Sequence, residues 1–435
     1  MKRYIPAMMA ALMLTGCAGT DTADTGAVQA ETTEATISAV QETLSETTVS
    51  SVQETSAETS AVPDMSDITA GLVYDESDNT WANEKEEYSK FVNIMKYECA
   101  KSPDIKGTYL LANDDEIIFI GGINSVDIYG NKADAHTVYE TGSVTKTFTA
   151  TAVLQLIEEG KLSFDDTLDK FFPEYEYGKD ITIYQLLHMR SGIRREFFDD
   201  SHGLIEGDTN NEAFEEWKKF YRDGYTDEEL LAELFAAKPQ FEPDAQHLYS
   251  NAGYTLLAMI IEQVTGESYA EYIQKNIFDI CGMEHSSSMT VGDVTGVPEP
   301  VPEDMYAFDI YDLTPTGYMS CPRTDRGCGD IHTCAADMLA FDRALIGGRL
   351  INEDSLEEMF KMDIRYGCGW EKFGGDYTAI ATYCHAGATH FFRAFNVYYR
   401  TEKYGNVYLI TLHPTSSDSQ YITSCVSGML TALSV

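Results

Sequence analysis

The apolar and polar positions near one end of the chain follow a helical period and then a strand-like pattern. Residues 84–100 repeat an apolar residue every three or four positions, which predicts a helix. Two apolar runs then flank the polar turn Asn113-Asp114-Asp115, at residues 107–112 and 116–120. Apolar runs joined by such a turn are typical of a β-hairpin, so a sheet is expected to start here.

The middle of the chain is predicted to be helical and rich in loops. Apolar positions recur with a helical period in three stretches, which begin near residues 143, 252 and 333. Each stretch is followed by a glycine, which is typical of a helix C-terminus. Residues 285–330, between the second and third stretches, have no regular pattern and are expected to be irregular.

Strands return in the last quarter of the chain. Apolar runs predict a last helix at 418–433 and, before it, strands at 379–384, 391–399 and 407–412. Strands at both ends of a domain, with helices between them, imply one sheet built from distant segments. The expected fold is α/β, of the α+β type. Its antiparallel sheet combines N- and C-terminal segments flanked by helices, with a mostly helical lobe inserted.

A short basic and apolar segment opens the chain. Lys2 and Arg3 precede the apolar run 5–14, which is too short for a membrane-spanning helix and has the form of a signal peptide. The run ends in Leu14-Thr15-Gly16-Cys17, which resembles a bacterial lipobox, and in lipoproteins with that pattern the cysteine is lipidated. We expect residues 1–17 to be a lipoprotein signal peptide that ends at lipidated Cys17. An ordinary signal peptide cut nearby is the alternative.

The segment after the leader, residues 18–80, is of low complexity. It is rich in Thr, Ser, Glu, Ala and Val and contains no Lys or Arg. Such a segment cannot bury enough apolar area to offset its ordering entropy, which predicts a disordered tether. A coiled coil is the alternative, but it would need sustained heptads. Residues 81–435 are then a single domain, expected on the outer face of the bacterial cytoplasmic membrane and held there only by the lipid anchor.

The net charge excludes some classes of partner. The chain has 30 Lys and Arg against 71 Asp and Glu, a formal charge of −41 at pH 7. Such a chain repels nucleic acid and anionic lipid headgroups, so neither is an expected partner. The acidity fits a need for solubility, and an acidic surface for a cationic partner is the alternative.

The number of cysteines does not decide whether disulfides form. Of nine cysteines, eight remain once Cys17 is set aside, and an even number in an exported protein allows disulfides without fixing their pairing. Cys321, Cys328 and Cys334 form a cluster that could contain one bridge. No Cys-x-x-Cys and no histidine spacing typical of zinc occurs, so neither a metal nor another cofactor is expected.

The first residues that suggest chemistry are Ser143 and Lys146. On a helix, a lysine three residues after a serine lies on the same face. Ser143 also follows Thr141-Gly142, where the helix should begin, so its own amide is free to donate. Burial of the helix would lower the pKa of Lys146 and make it a base. The spacing fits an acyl-enzyme nucleophile with its base and half of an oxyanion hole. A helix start with an exposed lysine is the alternative.

Two later motifs supply polar groups of the kind that such a site needs. Tyr249 and Asn251 precede a strong helix, where a phenol can transfer a proton and an amide can hold a substrate carbonyl. A core tyrosine and a helix-capping asparagine are the alternatives. His385 follows a predicted strand, and Gly387 permits close approach of substrate, so the amide of Ala388 could be the second oxyanion donor. An ordinary loop histidine is the alternative.

These three motifs, with the strand–helix–strand layout, resemble the serine β-lactamase and penicillin-binding-protein superfamily. The nearest resemblance is to its class C β-lactamase-like and D-Ala-D-Ala carboxypeptidase-like branch. It covers about residues 85–433 and is supported by short sequence segments at 181–192, 249–257, 282–283 and 366–370. The resemblance implies that Ser143 is acylated and that Lys146 and Tyr249 share base and acid duties. It also implies that Asn251 orients the substrate amide and that the amides of Ser143 and Ala388 hold the oxyanion.

One position departs from the pattern of that superfamily. Its third motif usually has Lys or His, then Thr or Ser, then Gly, whereas Ala386 stands here in the hydroxyl position. The hydroxyl commonly helps to bind a substrate carboxylate, and His385 is a weaker partner for an anion than lysine. His385 and Gly387 are still expected to line the substrate.

The predicted function is a serine hydrolase that acts on an amide or ester. A cell-wall D-amino-acid peptide, a β-lactam and a small ester are the candidate substrates, and peptidoglycan is a candidate partner. A noncatalytic binding or regulatory protein with the same fold is the alternative.

Overall fold

A computed structural model of the chain describes residues 68–125, 132–197, 226–288, 325–373, 380–389, 392–414 and 419–433. The predicted signal peptide, the lipid attachment site Cys17 and the tether as far as residue 67 lie outside these residues, as does Cys321. The helices within these ranges are all too short or too polar to cross a bilayer.

Eleven strands are described, and eight of them form the main sheet. In chain order they are β1 (Val73–Asp75), β2 (Thr80–Ala82), β3 (Gly107–Asn113), β4 (Ile117–Ile123), β5 (Tyr139–Glu140), β6 (Ser287–Ser288), β7 (Ile331–Thr333), β8 (Glu371–Lys372), β9 (Ala381–Ala388), β10 (Phe392–Arg400) and β11 (Asn406–Pro414). The main sheet has the order β1-β2-β4-β3-β11-β10-β9-β8, with antiparallel neighbours throughout. Because β3 pairs with β11, the two ends of the domain meet in the middle of one sheet. The predicted fold class is confirmed.

Nine α-helices of five or more residues are described. They are α1 (Ser89–Cys99), α2 (Thr145–Glu158), α3 (Ile183–Leu187), α4 (Asp227–Phe235), α5 (Asn251–Thr265), α6 (Tyr269–Ile273), α7 (Ala335–Ile346), α8 (Glu353–Met359) and α9 (Ser419–Leu433). A π-helical turn, Gln274–Phe278, and a last turn at Asp279–Cys281 extend α6. The predicted helices near 84–100, 143, 252, 333 and 418–433 are all present.

Helices cover both faces of the main sheet. Successive residues of a strand point to opposite faces, and β10 shows this directly. Tyr399 donates a hydrogen bond to the carbonyl of Val426 in α9. Asn396 instead donates from its Nδ2 to Asp342 of α7, at 2.8 Å. The sheet is therefore held between α9 on one face and α7 on the other.

The helical part is organised around α2 and α5, and its ends follow the sequence signals. Every residue of α2 from Thr145 to Leu154 is buried, so this helix runs through the core. At α5, Ser250 accepts a hydrogen bond from the amide of Gly253 at 2.9 Å and so caps the helix. Its other end is closed by Gly266, whose φ of +75° lies in the left-handed region.

Two predicted boundaries are wrong. The folded domain was expected from residue 81, but β1 and the start of β2 lie before that position, with three residues in each strand. Strands so short leave too few alternating positions to be recognised. The strand predicted to end at residue 384 continues to Ala388, because β9 pairs with β10 up to Arg393. Ala386, Gly387 and Ala388 have small side chains, which give no apolar signal.

Candidate active site

The turn that carries Ser143 connects the small sheet to α2. Strand β5 pairs with β7, and Thr141 extends this contact by donating from both its amide and its Oγ1 to the carbonyl of Ile331. A 3-10 turn, Gly142–Val144, then leads directly into α2. Gly142 has a φ of +51°, and a Cβ there would lie 2.8 Å from the backbone of Ala388. Glycine at this position therefore lets the Ser143 turn rest against β9.

Lys146 is fully buried and faces Ser143. Its Nζ donates to Ser143 Oγ at 3.1 Å and to the carbonyl of Cys328 at 2.7 Å. The helical spacing of three residues produces this contact, as the sequence predicted. The alternative of an exposed lysine at a helix start is wrong, because no part of the Lys146 side chain reaches solvent.

The carbonyl that holds Lys146 belongs to a tight turn, which the sequence analysis did not identify. The amides of Cys328 and Gly329 both donate to the carbonyl of Asp325. Asp330 closes the turn by accepting from the amide of Gly327 at 2.9 Å. Burial raises the pKa of Asp330 to about 6. The Cys328 carbonyl lies 182 residues beyond Lys146 in the chain, so no local pattern could have indicated the contact.

Tyr249 lies beside the amine of Lys146. The Lys146 Nζ is 4.9 Å from the centre of the half-buried Tyr249 ring. The guanidinium of Arg195 lies 5.4 Å from the same ring, and the ring of Tyr366 packs edge-on against it at 6.1 Å. The predicted nucleophile, lysine and tyrosine are therefore brought together from the 3-10 turn, the start of α2 that continues it, and the loop before α5.

Asn251 is not the helix cap, since Ser250 performs that role. The Asn251 Nδ2 donates to Glu196 Oε1 at 2.7 Å. Its Oδ1 is buried and has no hydrogen-bond partner among the described residues. Glu196, which the sequence analysis missed, has a side chain that is 48% exposed, yet crowding of its carboxyl by protein atoms raises its pKa. The nearby charge of Arg195 opposes that shift.

His385 lies within β9, not in a loop after a strand. It is 1% exposed, and both ring nitrogens have partners: Nδ1 is 2.8 Å from the carbonyl of Ala386 and Nε2 is 2.9 Å from Tyr366 Oη. A carbonyl can only accept, so Nδ1 carries the proton and Tyr366 donates to Nε2. Burial and the charge of Lys146 lower the pKa of His385 to about 3. His385 is neutral at physiological pH and orients Tyr366.

The backbone of β9 meets the Ser143 turn at Gly387 and Ala388. A Cβ on Gly387 would lie 1.8 Å from the carbonyl of Thr141 and 3.2 Å from the amide nitrogen of Ser143. The amide of Thr389 donates to the carbonyl of Phe392. Amides alternate in direction along an antiparallel ladder, so the amide of Ala388 points away from β10. It points to the side where β8 pairs only with Tyr383 and Cys384, next to the amide of Ser143.

A separate group of side chains could hold a metal ion by residue type. One ligand atom each from His285, Cys334 and Asp337 lies within 4.8 Å of the others. These contacts also serve the start of α7: Cys334 caps the helix, and Asp337 accepts from the amide of His285 and from Ser286 Oγ. No metal ligands were expected from the sequence, and His285 lies 52 residues before Asp337, so no local spacing indicates this group. The seven described cysteines are free thiols.

Comparisons with known proteins show the family and the fold. A family model described as Beta-lactamase matches residues 101–423. Among curated proteins, the chain is similar to "Putative penicillin-binding protein PbpX" of Bacillus subtilis (strain 168), with 32% identity over 284 residues. The match covers 64% of this chain and 65% of the relative, so the chain spans about two thirds of the length of that protein.

Two solved structures share the fold. The penicillin binding protein from Bacillus halodurans superimposes with a TM-score of 0.59 at 22% identity, over 78% of this chain and 98% of that one. The D-amino acid amidase from Ochrobactrum anthropi SV3, complexed with L-phenylalanine, gives a TM-score of 0.60 at 21% identity. That alignment covers 79% of this chain and 98% of the amidase.

Proposed function

The chain belongs to the beta-lactamase family, as the sequence motifs predicted, and we propose that it is a hydrolase that works through an acyl-enzyme on Ser143. The observation that carries this proposal is the contact between a fully buried lysine amine and the serine hydroxyl, at 3.1 Å. A serine becomes a nucleophile when a base lies within hydrogen-bonding distance. Lys146 is that base in our proposal.

In the proposed reaction, Ser143 Oγ attacks the carbonyl carbon of an amide or ester. Its proton moves to Lys146 Nζ when that amine is unprotonated and, through the Lys146–Tyr249 pair, to the leaving nitrogen or oxygen. The bond between the carbonyl carbon and that atom then breaks, which leaves an ester on Ser143. Water adds to this ester by the same proton path in reverse and releases the carboxylic acid and free Ser143.

The oxyanion formed in each step would be held by two backbone amides. The backbones that carry the amides of Ser143 and Ala388 approach each other closely at Gly142 and Gly387. Amides fixed by the fold need no rearrangement when the negative charge develops, which is why such donors lower a barrier. Asn251 and Gly387 are proposed to line the substrate, and His385 to act through Tyr366.

We infer the substrate class from what the side chains of the site offer to an anion. His385 is neutral with both nitrogens occupied, and Ala386 has no hydroxyl. Both features disfavour substrates that depend on a bound carboxylate, such as β-lactams and peptide C-termini. We therefore rank a D-amino-acid amide or peptide and a small ester above them, and the solved structure of a D-amino acid amidase with this fold supports an amide.

We also propose that the protein is lipid-anchored outside the cytoplasmic membrane. The support is the lipobox-like sequence that ends at Cys17 and the polar stretch after it. In cells, the protein should be found in the membrane fraction with Cys17 as its mature N-terminal residue, and Cys17→Ser should release it or leave the precursor uncleaved. A mature N-terminus at another residue would refute the anchor.

Active-site labelling tests the hydrolase proposal. The purified protein is treated with a fluorophosphonate and, in parallel, with a penicillin, and the modified residue is located by mass spectrometry. Modification of Ser143 that is absent in Ser143→Ala is the expected result. A folded wild-type protein that neither probe modifies, and that hydrolyses no ester or amide in a screen, would instead support the noncatalytic alternative.

A further inference from the structure

We propose that Glu196 and Asn251 form a subsite for the protonated α-amino group of an aminoacyl substrate. The inference rests on the proposed hydrolase function and names its substrate class: amides and esters whose acyl part carries a free amine next to the carbonyl. Neither residue belongs to the proton path described above.

The first observation is the orientation of the Asn251 amide. Its Nδ2 donates to Glu196 Oε1 at 2.7 Å, and a carboxylate can only accept, so the amide cannot be turned the other way. The Asn251 oxygen is thereby left pointing elsewhere, buried and without a partner among the described residues. A buried acceptor without a donor costs free energy unless a ligand supplies the donor.

The second observation is a further acceptor beside it. The hydrogen bonds of Glu196 to described residues both use Oε1, one from Asn251 and one from Arg195 Nε at 3.3 Å. No described residue donates to Oε2, and the side chain is 48% exposed. Two neighbouring acceptors, one of them on a carboxylate, favour a ligand that only donates and is positively charged. A primary ammonium has three donors and no acceptor, which fits that description.

The position of Glu196 and Asn251 relative to Ser143 indicates which amine of a substrate they would bind. Arg195 bonds Glu196 and lies 5.4 Å from the Tyr249 ring, and the Lys146 Nζ lies 4.9 Å from the same ring. The Ser143 hydroxyl is 3.1 Å from that amine. These contacts connect the pair to the Ser143 site through the Tyr249 ring, and we infer that the amine it takes is the α-amino group of the acyl part.

A matched pair of substrates tests the proposal. D-Alanine 4-nitroanilide has a free amine, and N-acetyl-D-alanine 4-nitroanilide is the same amide without the charge. We expect the wild type to prefer the free amine in kcat/KM. Glu196→Gln retains an oxygen for Asn251 but removes the charge, so the preference should fall about tenfold or more, the usual scale of one charge-assisted hydrogen bond. Glu357→Gln, at an exposed position of α8, removes the same charge elsewhere and should leave the preference intact.

The outcomes separate this inference from the hydrolase proposal. Equal or faster turnover of the N-acetyl amide by the wild type, or an equal fall in preference in Glu357→Gln, would overturn the amine subsite while leaving the hydrolase standing. Labelling of Ser143 by a fluorophosphonate in Glu196→Gln shows that a lost preference is not a lost fold. A wild type that is labelled but hydrolyses neither amide would overturn the subsite alone, and one that is not labelled and hydrolyses no ester or amide would overturn both.

Discussion

At the scale of single residues, Lys146 is fixed by two acceptors, Ser143 Oγ and the carbonyl of Cys328, where no solvent reaches it. Lys146→Met keeps most of the buried volume and removes the amine. We expect kcat/KM to fall by about 10²-fold or more, the scale of general acid–base catalysis. Tyr249→Phe should have a loss of the same order.

The two losses should not add in the double variant, because both side chains serve one proton path. Steady-state kinetics on wild type, both single variants and the double variant measures this, and Ser143→Ala gives the background rate. A double variant whose loss equals the product of the single losses would mean that Lys146 and Tyr249 act independently.

A substitution at Gly142 tests whether the close approach of the Ser143 turn to Ala388 matters for the oxyanion site. Gly142 and Gly160 both have a left-handed φ, of +51° and +70°, so alanine at either position has a backbone cost of about 1 kcal/mol. Only Gly142 is crowded: a Cβ there would lie 2.8 Å from the Ala388 backbone, whereas Gly160 has no atom within 4 Å. Gly142→Ala should therefore lose at least about tenfold in kcat, since complete loss of one oxyanion donor costs about 10²- to 10³-fold. Gly160→Ala should keep full activity, and comparable kinetic losses in the two variants would contradict the close approach.

At the scale of elements, the long and regular ones were predictable from the sequence and the short ones were not. The hairpin of β3 and β4 and the helices α2, α5 and α7 follow apolar periods with clear end signals. Strands β1 and β2 have three residues each, and the end of β9 consists of alanine and glycine. None of these segments has an alternation of apolar and polar residues that could be detected.

Some residues of the candidate site could also be predicted from the sequence, and others could not. Ser143 and Lys146 meet within one helix and were found by spacing. Glu196 and the Cys328 carbonyl reach the site from loops, 53 and 185 residues away from Ser143 in the chain. Only the folded backbone brings such groups together, so no sequence pattern indicates them.

A buried carboxyl where α7 packs against the sheet should make the free energy of unfolding depend on pH. Asp342 of α7 is buried, accepts one hydrogen bond from Asn396, and has a second oxygen without a partner among the described residues. Burial raises the pKa of Asp342 from an ordinary 3.8 to about 8. Between these values the folded protein binds a proton that the unfolded chain does not. This contribution therefore favours folding below about pH 4 and is lost as the pH rises to about 8.

Asp342→Asn resembles the protonated acid in shape and does not titrate. Relative to the variant, the wild type should lose up to about 1.4 kcal/mol of unfolding free energy per pH unit between these limits. Urea unfolding of both proteins at several pH values measures the difference. Asp354→Asn, at an exposed position of α8, is the matched control and should show no such trend. Parallel curves for wild type and Asp342→Asn would mean that the carboxyl is ionised in the fold.

At the scale of the whole molecule, the last part of the acidic segment 18–80 belongs to the folded domain. Asn79, in the turn between β1 and β2, donates from its Nδ2 to the carbonyls of Gly122 at 2.7 Å and Ala133 at 3.0 Å. Its own carbonyl accepts from the amide of Gly122. Tyr74 of β1 packs on Trp81, with ring centres 4.6 Å apart. These contacts tie the first strands to β4 and to the segment that precedes the Ser143 turn.

A chain that starts at residue 68 should therefore unfold at the same urea concentration as one that also contains residues 18–67, because the polar stretch before it has little apolar area to bury. A chain that starts at residue 80 loses β1 and the three hydrogen bonds that join Asn79 to Gly122 and Ala133. Each such bond contributes about 1 kcal/mol, and the Tyr74 ring adds buried apolar area, so a loss of roughly 3–5 kcal/mol is expected. Equal unfolding midpoints for the chains starting at 68 and at 80 would restore the boundary near residue 81 and make β1 dispensable.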